Sequence, residues 1–318
     1  MTVFVIISLR DLFASIILMG VYGLFSASFF ALMDAVDVAL TEAAVGIAVS
    51  ILLLLSTLSF TGRAEKKSRQ KPFLALIIVF FTGALLVYGT FDLPPFGSAT
   101  SPAHQHVASY YINESYGETG VANLVSSVLA SYRGFDTLGE LVVIFTAGVG
   151  VISLLSTSQK ALKTNGTTNK LVAPMTTHHI LRIVSKMLIP FIMLYALYVQ
   201  FHSDFGPGGG FQAGAIFASA LILYTLMFGL QATLAITSQS WLKFFAALGV
   251  LLFAGTGIIS MLQQHNYLNY NVLASDPIQG QHLGILLVEL GVGITVTAVL
   301  FQLFISFTGY MLNIRRPA

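Results

Sequence analysis

Eight long apolar stretches constrain the fold of this chain more than any other feature. An α-helix needs about 20 consecutive apolar residues to cross the hydrocarbon core of a bilayer. The stretches lie at Leu12–Met33, Val38–Phe60, Phe73–Thr90, Leu138–Leu155, Ile183–Phe201, Phe211–Leu230, Trp241–Leu262 and Leu283–Phe307. We therefore predict an all-α fold, a polytopic transmembrane bundle of about eight helices. The link between the first two helices is so short that they are expected to form a tight antiparallel pair.

The charge content agrees with a membrane protein and excludes several other classes. Only 9% of the 318 residues are charged, whereas soluble domains carry about 25%. The net charge of +2 is too small to indicate a nucleic-acid partner, and the absence of cysteine excludes disulfides, thiolate metal sites and cysteine nucleophiles. Because the N-terminal residues show no small-residue cleavage site, no cleavable signal peptide is expected.

The positions of the basic residues predict the orientation of the chain. If eight helices alternate across the membrane, fourteen of the fifteen Lys and Arg residues fall on one side and only Arg133 falls on the other. Cytoplasmic loops carry the excess of basic residues. Both termini are therefore predicted to be cytoplasmic. Residues 91–132 are predicted to form a long outside loop with a short surface helix, and residues 161–182 a polar cytoplasmic linker.

Glu42 is one of three glutamates within predicted spans, where burying a charge is expensive. It lies beside a stripe of small residues that lets a helix approach a neighbour closely, formed by Ala39, Ala43, Gly46 and Ser50. One interpretation is a protonatable or cation-binding carboxylate in a water-accessible seam. The other is a carboxylate that only holds a helix interface together, although Ser, Thr or Gln could make such a bond at lower cost.

Glu140 follows Arg133 and Asp136 at spacings that place all three residues on one face of a helix. They could form an entrance relay in which Arg133 stabilises the charged carboxylates. The alternative is a salt-bridged helix start with Asp136 near the cap. We favour this alternative for Arg133 and Asp136. Both interpretations stay open for Glu140, which lies deeper in the predicted span.

Glu289 is the most isolated charge, within residues 286–293 (LLVELGVG). His282 lies seven residues earlier on nearly the same helical face, so we expect it to be the partner of Glu289 within the helix. A His–Glu pair that passes protons and a lone structural hydrogen bond are both compatible with this spacing. Asp37 flanks the short link between the first two helices and is interpreted first as a helix N-cap and second as an ion ligand.

A glycine-rich loop follows the fifth predicted span and consists of Gly206, Pro207, Gly208, Gly209 and Gly210. It lacks the Gly-Lys-Ser/Thr ending of a phosphate-binding loop and does not follow a strand, so no nucleotide site is expected. We predict a re-entrant or sharply turned segment in which backbones approach closely. The histidine pairs at 104/106 and 178/179 have no third ligand nearby, so we expect solvated histidines and no metal site.

Motifs of three modules, in order along the chain, resemble one known family. Residues 37–46 (DVALTEAAVG) resemble the first small module in the tail of the large A subunit of Mrp-type sodium/proton antiporters, which is also a separate subunit in membrane-bound hydrogenases. Residues 133–140 (RGFDTLGE) resemble the second module of that tail. Residues 206–211 (GPGGGF) and 289–296 (ELGVGITV) resemble the Mrp B subunit. Together the three modules that these motifs indicate cover nearly the whole chain.

The resemblance implies a fusion of three modules. The first A-tail module covers residues 1–71, the second covers 72–160, and a B-like domain at 183–318 follows the cytoplasmic linker at 161–182. The implied function is that of a subunit of a multi-subunit Na⁺/H⁺ antiporter in the bacterial plasma (inner) membrane, related to the membrane arm of respiratory complex I. The implied partners are the pumping A- and D-like subunits, C-, E-, F- and G-like subunits, Na⁺, H⁺ and the lipid bilayer, and no cofactor is expected.

The resemblance implies ion translocation at the positions of Glu42 and Glu140. The full set of candidates for ion translocation is Glu42, Glu140, Asp136, Asp37 and Glu289. The supporting residues are Arg133, Thr41 and His282. The chain departs from the family pattern because the pumping portion of the large A-type chain is absent, the first helix is a stub, HSDF at 202–205 replaces the common His-Asn pair, and Glu289 stands where Asp is common.

The absence of lysine from the middle of every predicted helix limits the function further. Proton-pumping antiporter modules rely on a buried lysine whose charge state shifts readily. The chain is therefore expected to be a non-pumping subunit, not a complete pump. A purely structural membrane spacer and a membrane anchor in a hydrogenase-type redox complex remain alternatives, whereas no nucleophile–base arrangement indicates an enzyme in its own right.

Overall fold

The computed structural model describes residues 1–58, 62–65, 72–95, 97–102, 104–164 and 179–314. Its α-helices are α1 Thr2–Ser8, α2 Leu12–Leu32, α3 Val36–Glu42, α4 Ser50–Leu58, α5 Pro72–Gly89, α6 Ser109–Thr119, α7 Leu124–Ser127, α8 Gly134–Thr164, α9 His179–His202, α10 Gly210–Phe228, α11 Leu230–Ile236, α12 Gln239–Leu262 and α13 Pro277–Ile314. Short π-helical segments lie at Ala43–Val49, His104–Ala108 and Val128–Tyr132, and a 3₁₀ turn lies at Tyr270–Leu273. No strand occurs among the described residues, and the all-α prediction is confirmed.

Seven of the helical stretches in the described part of the chain are long and apolar enough to cross a membrane. An eighth, Phe73–Gly89 in α5, is apolar but shorter. Each predicted span therefore overlaps one of these apolar helical stretches, although α13 begins at Pro277, before the predicted start at Leu283. The placement of both termini in the cytoplasm stays a prediction.

The central helix of the bundle is α13, which packs against α8, α9, α10 and α12. Glycines bring the neighbouring backbones very close to it. A Cβ atom added at Gly249 of α12 would lie 2.3 Å from the carbonyl oxygen of Gly291, and one at Gly214 of α10 would lie 2.8 Å from that of Gly293. Membrane helices associate through such close packing, because lipid tails are as apolar as the helix surfaces.

The first two membrane helices form the expected antiparallel pair. The chain reverses at Asp34, whose φ of 60° lies in the left-handed region, and α2 then packs against α3 and α4. In contrast, α5 is set apart from the bundle. Its side chains at Phe80, Leu85 and Tyr88 are between 69% and 74% exposed, as expected for a helix whose surroundings are lipid or another protein.

The predicted outside loop contains α6 and α7, so the short helix expected there is present. Tyr110 and Tyr132 both donate hydrogen bonds to the exposed carboxylate of Glu118, which lowers its pKa. At the C-terminal end of the second module, α8 continues to Thr164, and α9 begins at His179. The predicted linker at 161–182 therefore begins within a helix, and residues 165–178 of it lie outside the described residues.

Candidate functional site

The glycine-rich loop between α9 and α10 is the sharp turn that its composition predicts. Gly209 has a φ of 135°, in the region that favours glycine. A Cβ atom at Gly208 would lie 2.5 Å from the carbonyl oxygen of Val199, and one at Gly210 would lie 2.1 Å from that of Glu289. The loop can therefore pack against α9 and α13 only with glycine at these positions.

Asp37 holds this loop from a distant part of the sequence. Its Oδ1 accepts a hydrogen bond from the backbone N–H of Gly208 at 2.9 Å, and its Oδ2 accepts one from Nδ2 of Asn123 at 3.4 Å. The predicted N-cap role is wrong, because Ala35 occupies the N-cap position of α3 and Asp37 lies within the first turn. Asp37 is 9% exposed, so its carboxylate is stabilised by the loop and not by water.

Asn123 connects the segment before α7 to the same loop. Its side-chain nitrogen donates to the carbonyl oxygen of Gly206 at 2.8 Å, and its oxygen caps α7 by accepting the N–H of Val125. One turn later, the hydroxyl of Ser126 donates to the carbonyl oxygen of Ser203 at 2.9 Å. Nothing in the sequence distinguished Asn123 or Ser126 from other polar residues of the long outside loop.

Glu289 accepts a hydrogen bond from the hydroxyl of Ser203, at the end of α9. The predicted pairing of Glu289 with His282 is wrong. His282 instead places Nδ1 3.4 Å from Oδ2 of Asp204 and Nε2 3.0 Å from the carbonyl oxygen of Gly120. A shared helical face does not decide pairing here, because the side chains of His282 and Glu289 contact different residues on neighbouring segments.

These contacts join segments that are far apart in the sequence into one cluster, which we call the polar junction. Its side chains belong to Asp37, Asn123, Ser126, Ser203, Asp204, His282 and Glu289. Most of them are buried, so the junction is a hydrogen-bonded core feature and not a solvated surface. Buried polar groups persist where they are hydrogen-bonded to one another in this way.

A cavity of about 280 Å³ adjoins the polar junction. Glu289, Gln212 and Thr41 contribute polar side chains to its lining, Glu140 lines it from α8, and Leu141 and Phe253 are among its apolar walls. Nε2 of Gln212 donates to the hydroxyl of Thr41 at 2.8 Å, and this hydroxyl donates to the backbone carbonyl of Asp37 at 2.9 Å. The cavity therefore brings together Thr41, Glu140 and Glu289, and Gln212 is a lining residue that the sequence did not reveal.

Glu42 lies apart from this cavity. Its carboxylate faces α2, where Oε1 lies 3.4 Å from the position of a Cβ atom added at Gly23, and it folds back over Gly46 of its own helix. The π-helical segment Ala43–Val49 begins directly after it. The structure thus brings Glu140 and Glu289 to one cavity and places Glu42 at the interface of the first helical pair.

Arg133 and Asp136 form the ion pair that their spacing predicts. Nη2 of Arg133 lies 2.5 Å from Oδ2 of Asp136, and the two side chains are 60% and 55% exposed. Asp136 belongs to the first turn of α8 and does not line the cavity. Among the residues that the structure describes, no group of three or more His, Asp and Glu side chains could hold a metal ion.

Family models match three successive parts of the chain. Residues 1–63 match the D subunit of MBH, residues 75–170 match the E subunit of MBH, and residues 180–302 match a domain related to the MnhB subunit of Na⁺/H⁺ antiporter. A putative antiporter subunit mnhB2 from Staphylococcus aureus is 33% identical over 133 residues, which cover 41% of this chain and 94% of that relative. The chain belongs to the Mrp-type family of Na⁺/H⁺ antiporter subunits.

Longer relatives of this antiporter-subunit family match most of the chain. A probable A/B subunit of a K⁺/H⁺ antiporter from Rhizobium meliloti is 26% identical over 297 residues, covering 84% of this chain and 29% of that protein. A chain of the Mrp complex from Dietzia sp. superposes with a TM-score of 0.71 at 24% identity, covering 95% of this chain and 33% of that chain. The chain thus spans about a third of these relatives. It is a multi-pass protein of the bacterial plasma membrane.

Proposed function

We propose that this chain is a non-pumping membrane subunit of a multi-subunit cation/proton antiporter, and that its polar junction and the adjoining cavity form part of the ion path. The observation that carries the proposal is the cavity that brings Glu140 and Glu289 together with Thr41 and Gln212. It is a transport subunit, not an enzyme, and it exchanges Na⁺ or another alkali cation for H⁺ as part of the complex.

The cost of burial supports a translocation role for Glu289. An ionisable side chain inside a membrane bundle is expensive and commonly marks an ion or proton pathway. Glu289 is 9% exposed and accepts a hydrogen bond from the Ser203 hydroxyl. A neutral side chain could accept that bond without the cost of a buried charge. A carboxylate that alternates between protonated and charged forms is therefore the better explanation.

The cavity supplies the connection between the carboxylates. Its volume of about 280 Å³ holds several water molecules, since each occupies about 30 Å³ in the liquid. Such water can pass protons between the carboxylates of Glu289 and Glu140, and the oxygens of Thr41 and Gln212 can ligate a partly dehydrated cation. Glu42 does not line the cavity. In this proposal its carboxylate has its role at the interface between α2 and the helix that contains Glu42.

His282 and Asp204 form a contact beside Ser203. The Gly120 carbonyl can only accept a hydrogen bond, so Nε2 of His282 carries a hydrogen in this geometry. Nδ1 of the same ring lies 3.4 Å from Oδ2 of Asp204. In this proposal His282 therefore has a supporting role, because it positions Asp204 next to Ser203.

The remaining components of the path belong to other chains in this proposal. The A- and D-like subunits supply the buried lysines that pump protons, and C-, E-, F- and G-like subunits complete the assembly. The three parts of this chain, at 1–71, 72–160 and 183–318, stay together through the polar junction and scaffold the pumping subunits. An anchor role in a hydrogenase-type complex is the alternative, favoured by the matches of residues 1–63 and 75–170 to MBH subunits.

The deciding experiment measures exchange and assembly together. Glu140→Gln and Glu289→Gln are introduced singly into the whole complex, and cation/proton exchange is assayed in inverted vesicles. Asp136→Asn is the matched control, because it changes a carboxylate on the same helix as Glu140 that does not line the cavity. We expect both Gln variants to lose exchange while the complex stays intact on blue-native gels.

The other outcomes separate the alternatives. Normal exchange in an intact Glu140→Gln complex would contradict the ion-path proposal. Loss of the complex itself in both Gln variants would favour a structural spacer. The redox-anchor alternative would be favoured by a different result. In that case, adding the wild-type chain back to cells that lack it would restore a hydrogenase-type activity and not cation/proton exchange.

A further inference from the structure

The side-chain amide of Gln212 is held in one orientation at the edge of the cavity that adjoins the polar junction. Its Nε2 donates to the hydroxyl oxygen of Thr41 at 2.8 Å, and that hydroxyl donates its only hydrogen to the backbone carbonyl of Asp37 at 2.9 Å. Because the Thr41 oxygen can then only accept a bond from the amide, the nitrogen end of the amide must face it. The carbonyl end, Oε1 of Gln212, is therefore turned away from Thr41.

This Oε1 atom is an acceptor without a donor among the residues that the structure describes. Gln212 is 9% exposed, and no described N–H or O–H group donates to its Oε1. Oε1 is also not a fully enclosed atom, since Nε2 of Gln200 is the one unpaired side-chain atom of that kind in the described chain. The space left open to Oε1 is the cavity that Gln212 lines. An unpaired carbonyl oxygen inside a membrane bundle is costly, so we expect the cavity to supply its partner.

Glu289 presents a second oxygen to the same space. Its Oε2 accepts the hydrogen bond from Ser203, which leaves Oε1 for the cavity side. The space lies at Gly209, where an added Cβ atom would lie 3.2 Å from Oε1 of Gln212 and 3.7 Å from Oε1 of Glu289. A charged carboxylate and an amide carbonyl can both only accept hydrogen bonds. These two oxygens therefore need a donor or a positive charge between them.

The surroundings offer no positive side chain for this purpose. Neither Lys, Arg nor His occurs among the described residues that line the cavity, and His282 of the polar junction contacts Asp204 and Gly120 instead. A mobile cation can fill this role, because carboxylate and carbonyl oxygens are ligands of hard cations. The single carboxylate at this point balances one positive charge, which favours an alkali cation over a divalent one.

We infer that Oε1 of Gln212 and Oε1 of Glu289 bind one alkali cation between them, and that Thr41 positions Gln212 for this contact. The inference rests on the proposed function, in which the cavity belongs to the ion path, and it adds where in the cavity the cation binds. Water in the cavity completes the coordination. Thr41 belongs to the part of the chain at 1–63, and Gln212 and Glu289 belong to the part at 180–302. The site is therefore complete only when these two parts are packed together.

Equilibrium binding to the intact, detergent-solubilised complex tests the inference without any transport. Binding of radioactive Na⁺ and its displacement by K⁺ are measured in alkaline buffer, where carboxylates are charged, with choline chloride keeping the ionic strength constant. Other subunits can bind cations as well, so the quantity of interest is the binding that Glu289→Gln removes. Gln212→Leu removes the oxygen ligand, Thr41→Val removes the positioning hydroxyl, and Thr41→Ser retains it. Gln302→Leu is the matched control, because Gln302 is 5% exposed and does not line the cavity.

We expect the wild-type complex to bind Na⁺ in a manner that depends on Glu289. Gln212→Leu should weaken this binding about ten- to a hundredfold, the effect of losing one bond to a charged group. Thr41→Val should weaken it about three- to tenfold, because the amide of Gln212 loses its fixed orientation. Thr41→Ser and Gln302→Leu should bind Na⁺ as the wild type does.

Three results would overturn the inference. The first is a wild-type complex without Glu289-dependent binding, since water alone would then occupy the space between the two oxygens. The second is wild-type affinity in Gln212→Leu. The third is equal affinity in Thr41→Val and Thr41→Ser, and this pair decides the question by itself if Gln212→Leu does not assemble.

Failure of the cation site and failure of the ion path give different patterns. If Glu140→Gln abolishes exchange while Gln212→Leu binds Na⁺ normally, the inferred site is wrong and the path stands. If Glu140→Gln retains exchange while Gln212→Leu has lost Na⁺ binding, the site stands and the path through Glu140 is wrong.

Discussion

Substituting Gly210 with Ala should force α10 away from α13 at the level of Glu289. The added Cβ atom would lie 2.1 Å from the carbonyl oxygen of Glu289 and 2.9 Å from the backbone nitrogen of Gly293, whereas ordinary contacts begin at 3.4 Å. The two helices would therefore have to separate by about 1.3 Å, the difference between 3.4 Å and 2.1 Å. Both atoms belong to the backbone of a helix, so neither can rotate away.

The energetic consequence follows from two opposing effects. Forcing extra volume into a packed interface costs about 1–3 kcal/mol, and Ala in place of Gly recovers at most about 1 kcal/mol of helix propensity. If the whole of that gain is realised, the net result is a destabilisation of up to about 2 kcal/mol. The separation also displaces Glu289 from Ser203, so exchange activity should fall together with stability.

Gly255→Ala is the matched control, because no heavy atom lies within 4 Å of the Cβ position at Gly255 in α12. This variant should gain about 1 kcal/mol from helix propensity. The assay is the melting temperature of the detergent-solubilised complex, followed by size-exclusion chromatography, with exchange measured in inverted vesicles. Equal melting temperatures for Gly210→Ala and Gly255→Ala would refute the close-packing argument.

Three further substitutions or conditions give smaller effects of known sign. Tyr270→Phe should destabilise the complex by about 1–2 kcal/mol, because the buried hydroxyl donates to the carbonyl oxygen of Ala130 at 2.9 Å; a melting temperature equal to wild type would contradict this. Arg133→Ala should cost less than about 1 kcal/mol, since its ion pair with Asp136 is more than half exposed, and the cost should vanish in high salt. Glu118 has a lowered pKa, so its stabilising bonds from Tyr110 and Tyr132 are complete above its ordinary pKa of 4.5 and are lost as the pH falls below it. Hydrogen exchange of α6, corrected for intrinsic rates, should therefore accelerate in acid, and Tyr110→Phe with Tyr132→Phe should remove that dependence.

The sequence predicted the features that depend on local pattern. Apolar runs predicted the seven helices that are long and apolar enough to cross a membrane, and the shorter apolar helix Phe73–Gly89, because a helix in lipid must be apolar along its length whatever it packs against. The ion pair of Arg133 and Asp136 was also predictable from local sequence, because side chains three residues apart meet on one helix regardless of the rest of the fold. The sharp turn at the glycine-rich loop likewise follows from its composition.

Pairings between distant segments were not predictable. Asp37 resembles an N-cap by position, yet it accepts from Gly208, 171 residues away. The partner of Glu289 is Ser203, 86 residues away, and not His282 on the same helical face. Helical periodicity gives the direction of a side chain but not the neighbour that occupies that direction, so Asn123, Ser126 and Gln212 carried no signal before the fold was known.

The polar junction has a consequence for how the chain is divided. Its atoms come from the three parts that match separate family models, and 133 residues of the chain cover 94% of a separate antiporter subunit. Within one chain, tethering raises the effective concentration of these parts to the millimolar range. Weak contacts such as the 3.4 Å bond between Asp37 and Asn123 can then persist without a strong interface. A free-standing protein must find the same neighbours by diffusion, so it needs additional binding surface that a fused chain can lose over evolutionary time.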